Sequence, residues 1–398
     1  MTAMTTKEPT RGKVIVSGIL FWYPLAGVTY QFLHYLIGLR KLGFDVYYIE
    51  DSGRWVYDPV ARSITGDAEP NVTRVAKTLD AHGFAGKWAF RGAYPNGPCY
   101  GMRESEIFAH YREADALLNV TGAQEIREEQ SWIKKRVYVE SDPFSAQVKL
   151  FNGDAKVRAL LDAHHAFFSF GENLGQPDSD VPLDRTWLPT RQPVATELWS
   201  APAVSANATN ATAYNTITTW HNDGKSVEYR GEVYHWTKDR EFVRFLDVPQ
   251  RRAALQFELA TDADAKARAL LEKHGFVVGE GVSVSASVDS YRNYIRGARA
   301  EFTVARDQYV RPRTGWFSDR SACYLASGRP VITQETAFSK YIPTGRGLFA
   351  FETLDDVLGA IDAIETDYAA HSRAALEIAR EYFEAERVLA SLMERIGL

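Results

Sequence analysis

The residues of this chain whose types and spacing could do chemistry gather between Thr314 and Gln334, in the run TGWFSDRSACYLASGRPVITQ. Gly315 and Trp316 form a tight turn and Ser318 is placed to cap a short helix. Ala322, Leu325 and Ala326 recur at helical spacing, Gly328 ends the helix, and Pro330-Val331-Ile332 opens a buried strand. The first turn of such a helix has N–H groups without intrahelical partners and lies at the positive end of the dipole, so it attracts an anion. Ser321 adds a hydroxyl donor and Arg320 a fixed positive charge, which together describe a phosphate site. A capped surface helix with a solvated Arg320 has the same short pattern, so the surrounding elements must decide between the two.

Carboxylates suited to general-base work follow predicted strands in the first half of the chain. Asp142 comes after the buried run VYVE and before Pro143, at a strand's carboxyl end. Asp51 ends another strand, and Glu172 lies in the glycine-flanked GEN turn; loop capping accounts for all three equally well. Asp262-Ala263-Asp264 and Asp178-Ser179-Asp180 have the spacing of a divalent-cation site. The first opens a predicted helix, where acidic residues are favoured anyway, and the second lies in a proline-containing loop, so no metal is expected. His164 and His165 point to different helix faces, and His221 and His235 lack a metal-ligand spacing. His221 follows Trp220 at a strand end and remains a cleft candidate. No G-x-S-x-G elbow is present.

The elements that must position these groups alternate. Lys13 to Gly18 reads as a strand, Val28 to Leu42 as a helix with Phe32, Leu36 and Leu39 on one face, and Phe44 to Ile49 as a second strand: a βαβ unit. Strands at Ala116 to Val120 and Arg136 to Glu140, with helices between, extend this into a parallel sheet. A small-residue stretch, SAPAVSANATNAT, then reads as a linker over 201–212. A second alternation over 213–398 includes strands at Asn215 to Trp220, Glu301 to Ala305 and Leu348 to Phe351. The expectation is an α/β protein of two Rossmann-like domains, 13–200 and 213–398, facing across a cleft, with the last helices packing back on the first domain. Residues 1–12 read as a disordered tail.

With 398 residues, 45% hydrophobic and 24% charged, two cores are affordable. Two distant cysteines, Cys99 and Cys323, exclude a disulfide framework, and no run reaches membrane-span length, so a cytoplasmic protein is expected. A net charge of −5 with mixed signs disfavours a nucleic-acid acceptor. The 13% aromatic content, including Trp22 and Tyr23 in the loop after the first strand, suits flat ligands such as sugars.

The N-terminal FWYPLAGVTYQFLHYLIGLRKLGFDVYYIED and the C-terminal GWFSDRSACYLASGRPVITQETAFSKYIPTGRGLFAF resemble the corresponding parts of GT-B-type nucleotide-sugar glycosyltransferases, over nearly the whole chain. The segments ESDPFSAQ, FSFGENLG, WLPTRQPV and GEVYHWTKDREF look like a group of bacterial putative glycosyltransferases. The resemblance implies a metal-independent transferase with no cofactor other than a nucleoside-diphosphate sugar co-substrate, such as a UDP-sugar. It implies a small-molecule or glycan acceptor, and it is compatible with a homodimer. Donor contacts would come from Gly315, Trp316, Ser318, Asp319, Arg320, Ser321, Lys238, Arg240, Glu335 and His221, and acceptor contacts from Trp22, Tyr23 and Gly27. The paired glutamates of retaining members fall here on Gly315 and Cys323, which leaves either Asp319 or Glu335 for the ribose and favours inversion. A nucleotide-sugar epimerase or hydrolase on the same fold, and a non-catalytic sugar-binding module, are the alternatives.

Overall fold

The computed structural model describes residues 11–92, 97–200 and 213–398. The expected tail, as far as residue 10, and the whole of the expected linker lie outside the described residues.

Two parallel sheets organise the chain. The first half supplies β1 (Lys13–Ser17), β2 (Asp45–Glu50), the small antiparallel hairpin β3 (Val56–Asp58) and β4 (Ser63–Thr65), then β5 (Trp88–Arg91), β6 (Cys99–Gly101), β7 (Ala116–Val120), β8 (Lys135–Glu140), β9 (Ala166–Ser169) and β10 (Leu188–Pro189). The sheet order is β10-β9-β8-β7-β1-β2-β5-β6, parallel except for the last pair. The second half supplies β11 (Ala213–Thr218), the hairpin β12 (Val227–Tyr229) and β13 (Glu232–Tyr234), β14 (Gln256–Thr261), β15 (Phe276–Glu280), β16 (Ala300–Thr303), β17 (Val331–Gln334) and β18 (Leu348–Phe351). Its sheet, β15-β14-β11-β16-β17-β18, is parallel throughout. Helices cover both faces of such sheets, which is why Val14, Val16, Leu118, Val120, Val137 and Val139 are all buried.

In each sheet the chain order reverses beside the first strand, between β7 and β1 and between β11 and β16. Loops leaving neighbouring strands diverge at such a reversal, and the crevice at the strands' carboxyl ends is where ligands of this architecture sit.

The first helix, Ala26–Lys41, begins two residues before the predicted start. It buries Phe32, Leu33, Leu36 and Leu39 toward its own sheet, each contributing about 1.5–3 kcal/mol. Arg40 and Lys41 complement the dipole in its last turn. Its other side meets the second half of the chain. The Tyr30 hydroxyl donates to the Val288 carbonyl at 3.0 Å, and Gly38 receives the final helix, Ala385–Arg395. A Cβ at Gly38 would lie 2.6 Å from Leu389 Cδ1, so no larger residue permits this approach.

Candidate functional site

The motif helix, Asp319–Ala326, starts over the β11/β16 reversal. Glu301, inside β16, is fully buried. Arg320 reaches from the helix start into the sheet and donates from Nε to Glu301 Oε1 at 2.6 Å, from Nη1 to the Ile217 carbonyl at 2.7 Å and from Nη2 to Thr303 Oγ1 at 3.0 Å. Thr216 Oγ1 donates to the same Glu301 oxygen at 3.0 Å. Arg320 is therefore neither solvated nor free for a ligand, contrary to expectation, because an unpaired buried carboxylate is costly and the nearest guanidinium has turned in to meet it. The charge of Glu301 holds that guanidinium protonated despite its burial.

The helix start is also less open than its sequence suggests. Ser318 occupies the cap position in extended backbone, but its hydroxyl makes no capping bond. Asp319 takes that place: its carboxylate accepts the Arg320 N–H at 2.9 Å, and burial raises its pKa. Ser321 Oγ, one residue further, is buried without a hydrogen-bond partner.

Beside this turn lies Lys238, only 6% exposed. Among the described residues nothing forms a hydrogen bond or ion pair with its ammonium. Its charged neighbours are the guanidiniums of Arg320 and Arg306 and the carboxylates of Glu301 and Asp319, and burial drives its pKa well below the ordinary lysine value. Arg306 is fixed by stacking, with its guanidinium 3.9 Å from the centre of the Trp236 ring. Its Nη1 donates to Tyr309 Oη at 3.1 Å, while its Nε is buried and unpartnered. Arg240, grouped with Lys238 on sequence, points outward and is exposed: two residues apart at the start of a short helix, the two side chains leave on different sides.

Asp142 follows β8 and faces this group from the first half of the chain. Its Oδ1 accepts from the Tyr309 hydroxyl at 2.5 Å and lies 3.7 Å from Arg306 Nη1. Trp316 stacks on Tyr309, ring centres 4.3 Å apart, and its indole N–H donates to the Ser141 carbonyl at 2.9 Å. Gly315 has φ +78°, and a Cβ there would lie 2.4 Å from the Asn173 nitrogen. The Asn173 N–H donates to the Thr314 carbonyl at 3.0 Å. The glycine turn thus seals a seam between the two halves instead of presenting itself to a ligand.

Other expected residues are committed elsewhere. Glu172 is held bidentate by Arg191 at 2.6 and 2.8 Å, so its candidacy as a base gives way to a structural ion pair. Asp51 has a fully buried side chain with Arg91 and Arg127 each 3.3 Å away, and desolvation pushes it up to about 6 despite them. It anchors the end of β2, where its backbone N–H donates to Gln124 Oε1 at 2.9 Å and its carboxylate accepts from the Tyr111 hydroxyl at 3.3 Å. The Glu335 carboxylate accepts the Ala337 N–H within its own loop, supporting the left-handed φ of +77° there. His221 is exposed between Asp239 at 2.9 Å and Asp223 at 3.1 Å, and its bond to Asp239 raises its pKa. Asp262 accepts the Trp220 N–H, Asp264 caps the helix Ala265–Lys273, and Asp178 pairs with Lys340 and Arg313. Among the described residues no group of three or more His, Cys, Asp or Glu is arranged to hold a metal ion.

The loop after β1 is shaped by Glu50, which accepts the N–H groups of Phe21 and Trp22, both at 2.8 Å, and the Tyr48 hydroxyl at 2.7 Å. Burial pushes this carboxyl up to about 7. The loop presents partly exposed aromatic faces: Arg54 lies 4.6 Å from the centre of the Trp22 ring, and Tyr23 stacks on Tyr57. Gly27 lies where two helices approach, since a Cβ there would come 3.2 Å from Tyr291 Oη, and it lines a small cavity with Tyr30, Asp319, Arg320 and Cys323.

Sequence reasoning missed Arg306, Glu301 and Thr121. Glu301 had a signal, a charged residue inside the apolar run EFTVA that requires a partner. Thr121, just past β7, has φ +68°, unusual for a β-branched residue, and a buried hydroxyl without a partner.

Two Rossmann-like sheets with their strand ends turned to a common seam, and a helix start set over the second reversal, define the GT-B fold. No protein-family model matches the chain, and no curated protein sequence does. Among solved structures it is similar to an alpha-glucosyltransferase in complex with UDP, with a TM-score of 0.61 at 10% identity over 97% of this chain and 100% of that one. It is also similar to HepE of Anabaena in complex with UDP, with a TM-score of 0.54 at 9% identity over 97% and 99%. A glycosyltransferase from Rickettsia africae has a TM-score of 0.53 at 11% identity over 97% and 98%. No helix among the described residues is long and apolar enough to cross a membrane.

Proposed function

We propose that this chain transfers a sugar from a nucleoside-diphosphate sugar to a hydroxyl group of a small-molecule or glycan acceptor. The observation that carries the reading is Lys238: a side chain only 6% exposed whose ammonium makes no hydrogen bond with the described residues, next to two guanidiniums and the start of the motif helix, is placed to meet an anion. A diphosphate would meet Lys238 and Arg306 together, and those cations would stabilise the charge that grows on the departing nucleoside diphosphate. Arg320 would act on that anion only at second hand, by keeping Glu301 neutralised.

Asp142 is proposed as the general base. It stands on the opposite side of the seam from Lys238, where an acceptor hydroxyl would approach the sugar. Trp22 and Tyr23 would offer ring faces to that acceptor. Solved neighbours contain UDP, and one alpha-glucosyltransferase is in complex with UDP-glucose and DNA. Uridine is therefore the nucleoside to try first. The net charge of −5 favours a non-nucleic-acid acceptor for this chain.

Calorimetric titration with UDP, GDP and dTDP tests the reading. Binding of at least one, much weakened in Lys238→Met, supports it, and absence of binding by all three sinks it. With the donor so identified, nucleoside diphosphate release that depends on an added acceptor separates transfer from hydrolysis, and binding without release marks a non-catalytic module.

A further inference from the structure

We infer that the donor is bound together with a proton, which Lys238 takes up as the diphosphate enters. The inference rests on the functional reading above and concerns the same site.

The geometry is that of a charge-poor lysine. Its side chain is buried, its ammonium has no acceptor, and two positive groups, Arg306 and Arg320, lie near it. Of the two carboxylates that face it, Glu301 is engaged by Arg320 and Thr216, and Asp319 by the backbone N–H of Arg320. A third carboxylate, Asp142, is turned to Tyr309 and Arg306. Both donors to Glu301 meet its Oε1; the second oxygen, Oε2, is buried without a donor, yet no hydrogen bond joins it to Lys238, so the charge of Glu301 is met by Arg320 and not by the lysine. A lysine so placed sheds its proton, because desolvation and like charge both penalise the ammonium, and the direction of its pKa agrees. The two arginines cannot relieve the crowding in the same way, since a guanidinium keeps its proton.

An incoming diphosphate reverses the balance. Its oxygens supply the missing acceptors and its charge outweighs the two guanidiniums, so the amine regains its proton from solvent and becomes an ammonium against the phosphate. The balance is simple: one proton leaves the buffer, one N–H bond forms, and nothing is oxidised or reduced. The same step ensures that the positive charge is present only when a leaving group is there to be stabilised.

The linkage can be read with UDP at pH 8, where its own terminal phosphate is essentially fully ionised. Titrations in Tris and in HEPES differ in buffer ionisation heat, and the difference should report uptake approaching about one proton per UDP bound. Affinity should fall with rising pH by up to about tenfold per unit in the alkaline range. Lys238→Met should bind weakly with no buffer dependence, and Lys238→Arg should bind without proton uptake and with affinity independent of pH. Asp319, half-buried and next to the site, is the competing proton acceptor, so Asp319→Asn should keep the full buffer dependence. If the uptake vanishes in Asp319→Asn and persists in Lys238→Met, Asp319 is the acceptor and the inference is overturned. Equal heats in both buffers for the wild-type protein overturn it while leaving the functional reading intact. Failure of UDP, GDP and dTDP alike to bind removes both.

Discussion

The hydroxyl of Tyr309, on the motif side of the seam, donates to the carboxylate of Asp142, on the other side, at 2.5 Å. This bond ties the group proposed to activate the acceptor to the loop that carries the proposed donor ligands. Arg306 extends the chain by donating to the same phenol oxygen. Donor binding at Arg306 would therefore be felt at Asp142 both directly, across the 3.7 Å ion pair, and through the Tyr309 hydroxyl.

Asp142→Asn should abolish transfer, a loss of about 10²–10⁴-fold, while UDP affinity stays nearly intact. Tyr309→Phe should lower kcat less, with little change in donor KM, because the carboxylate survives but loses its fixed orientation. Steady-state kinetics on both variants check this; wild-type activity in Asp142→Asn removes it as the base.

Arg320→Ala should lose activity by unfolding. Removing one partner of the buried Arg320–Glu301 pair leaves a stranded carboxylate, at a cost of about 3–5 kcal/mol. Thermal melts should show a large drop that is partly reversed when Glu301→Leu is added. If Arg320→Ala instead melts like the wild type but turns over slowly, the guanidinium acts on the ligand directly.

Lys238→Met should stabilise the empty protein, and do so most at acid pH. In the wild type the folded chain holds the Lys238 proton less tightly than the unfolded chain, so its stability climbs as pH rises toward the ordinary lysine range of about 10.4. The advantage of methionine should therefore shrink across that interval. Parallel melts from pH 6 to 10 give the comparison, and curves of constant separation would show that the lysine is charged in the fold.

Glu140→Gln should flatten a loss of stability on the alkaline side. Burial raises this carboxyl to about 8, with its Oε2 accepting from Ser169 and Gln147. The folded state thus holds a proton that the unfolded chain releases near pH 4.5, and the associated stability is present below that value and lost as pH rises through about 8. Denaturant unfolding at pH 5 and pH 9 should show the wild type weakening on the order of a few kcal/mol more than the variant.

Gly315→Ala should destabilise by more than about 1 kcal/mol, since φ is +78° and the new methyl meets the Asn173 nitrogen. Urea unfolding should report it, together with easier proteolysis along the seam. Unchanged stability would mean that the two halves part readily there.

Much of the fold is legible in the sequence because parallel strands buried on both faces leave uninterrupted apolar runs. Ala116–Val120 and Leu348–Phe351 coincide with their predicted bounds, whereas β14 escapes notice because Gln256 and Glu258 interrupt its pattern. The hairpins β3–β4 and β12–β13 are too short for periodicity to register. The proposed site is harder to read than the fold. That Arg320 belongs to Glu301, nineteen residues earlier, depends on two strands and a helix coming together in space, and no local spacing encodes it. The segments ESDPFSAQ, FSFGENLG and WLPTRQPV do bear on this region, but several of their polar residues serve the seam, as Arg191 does for Glu172.

The segment leading into the final helix is tied to the first half of the chain at Val194, whose N–H donates to the Phe383 carbonyl at 2.7 Å and whose carbonyl accepts the Ala385 N–H at 2.9 Å. Shortening the chain before Phe383 would remove both bonds together with the helix that covers Gly38, and the first lobe would then expose the apolar side of its own first helix.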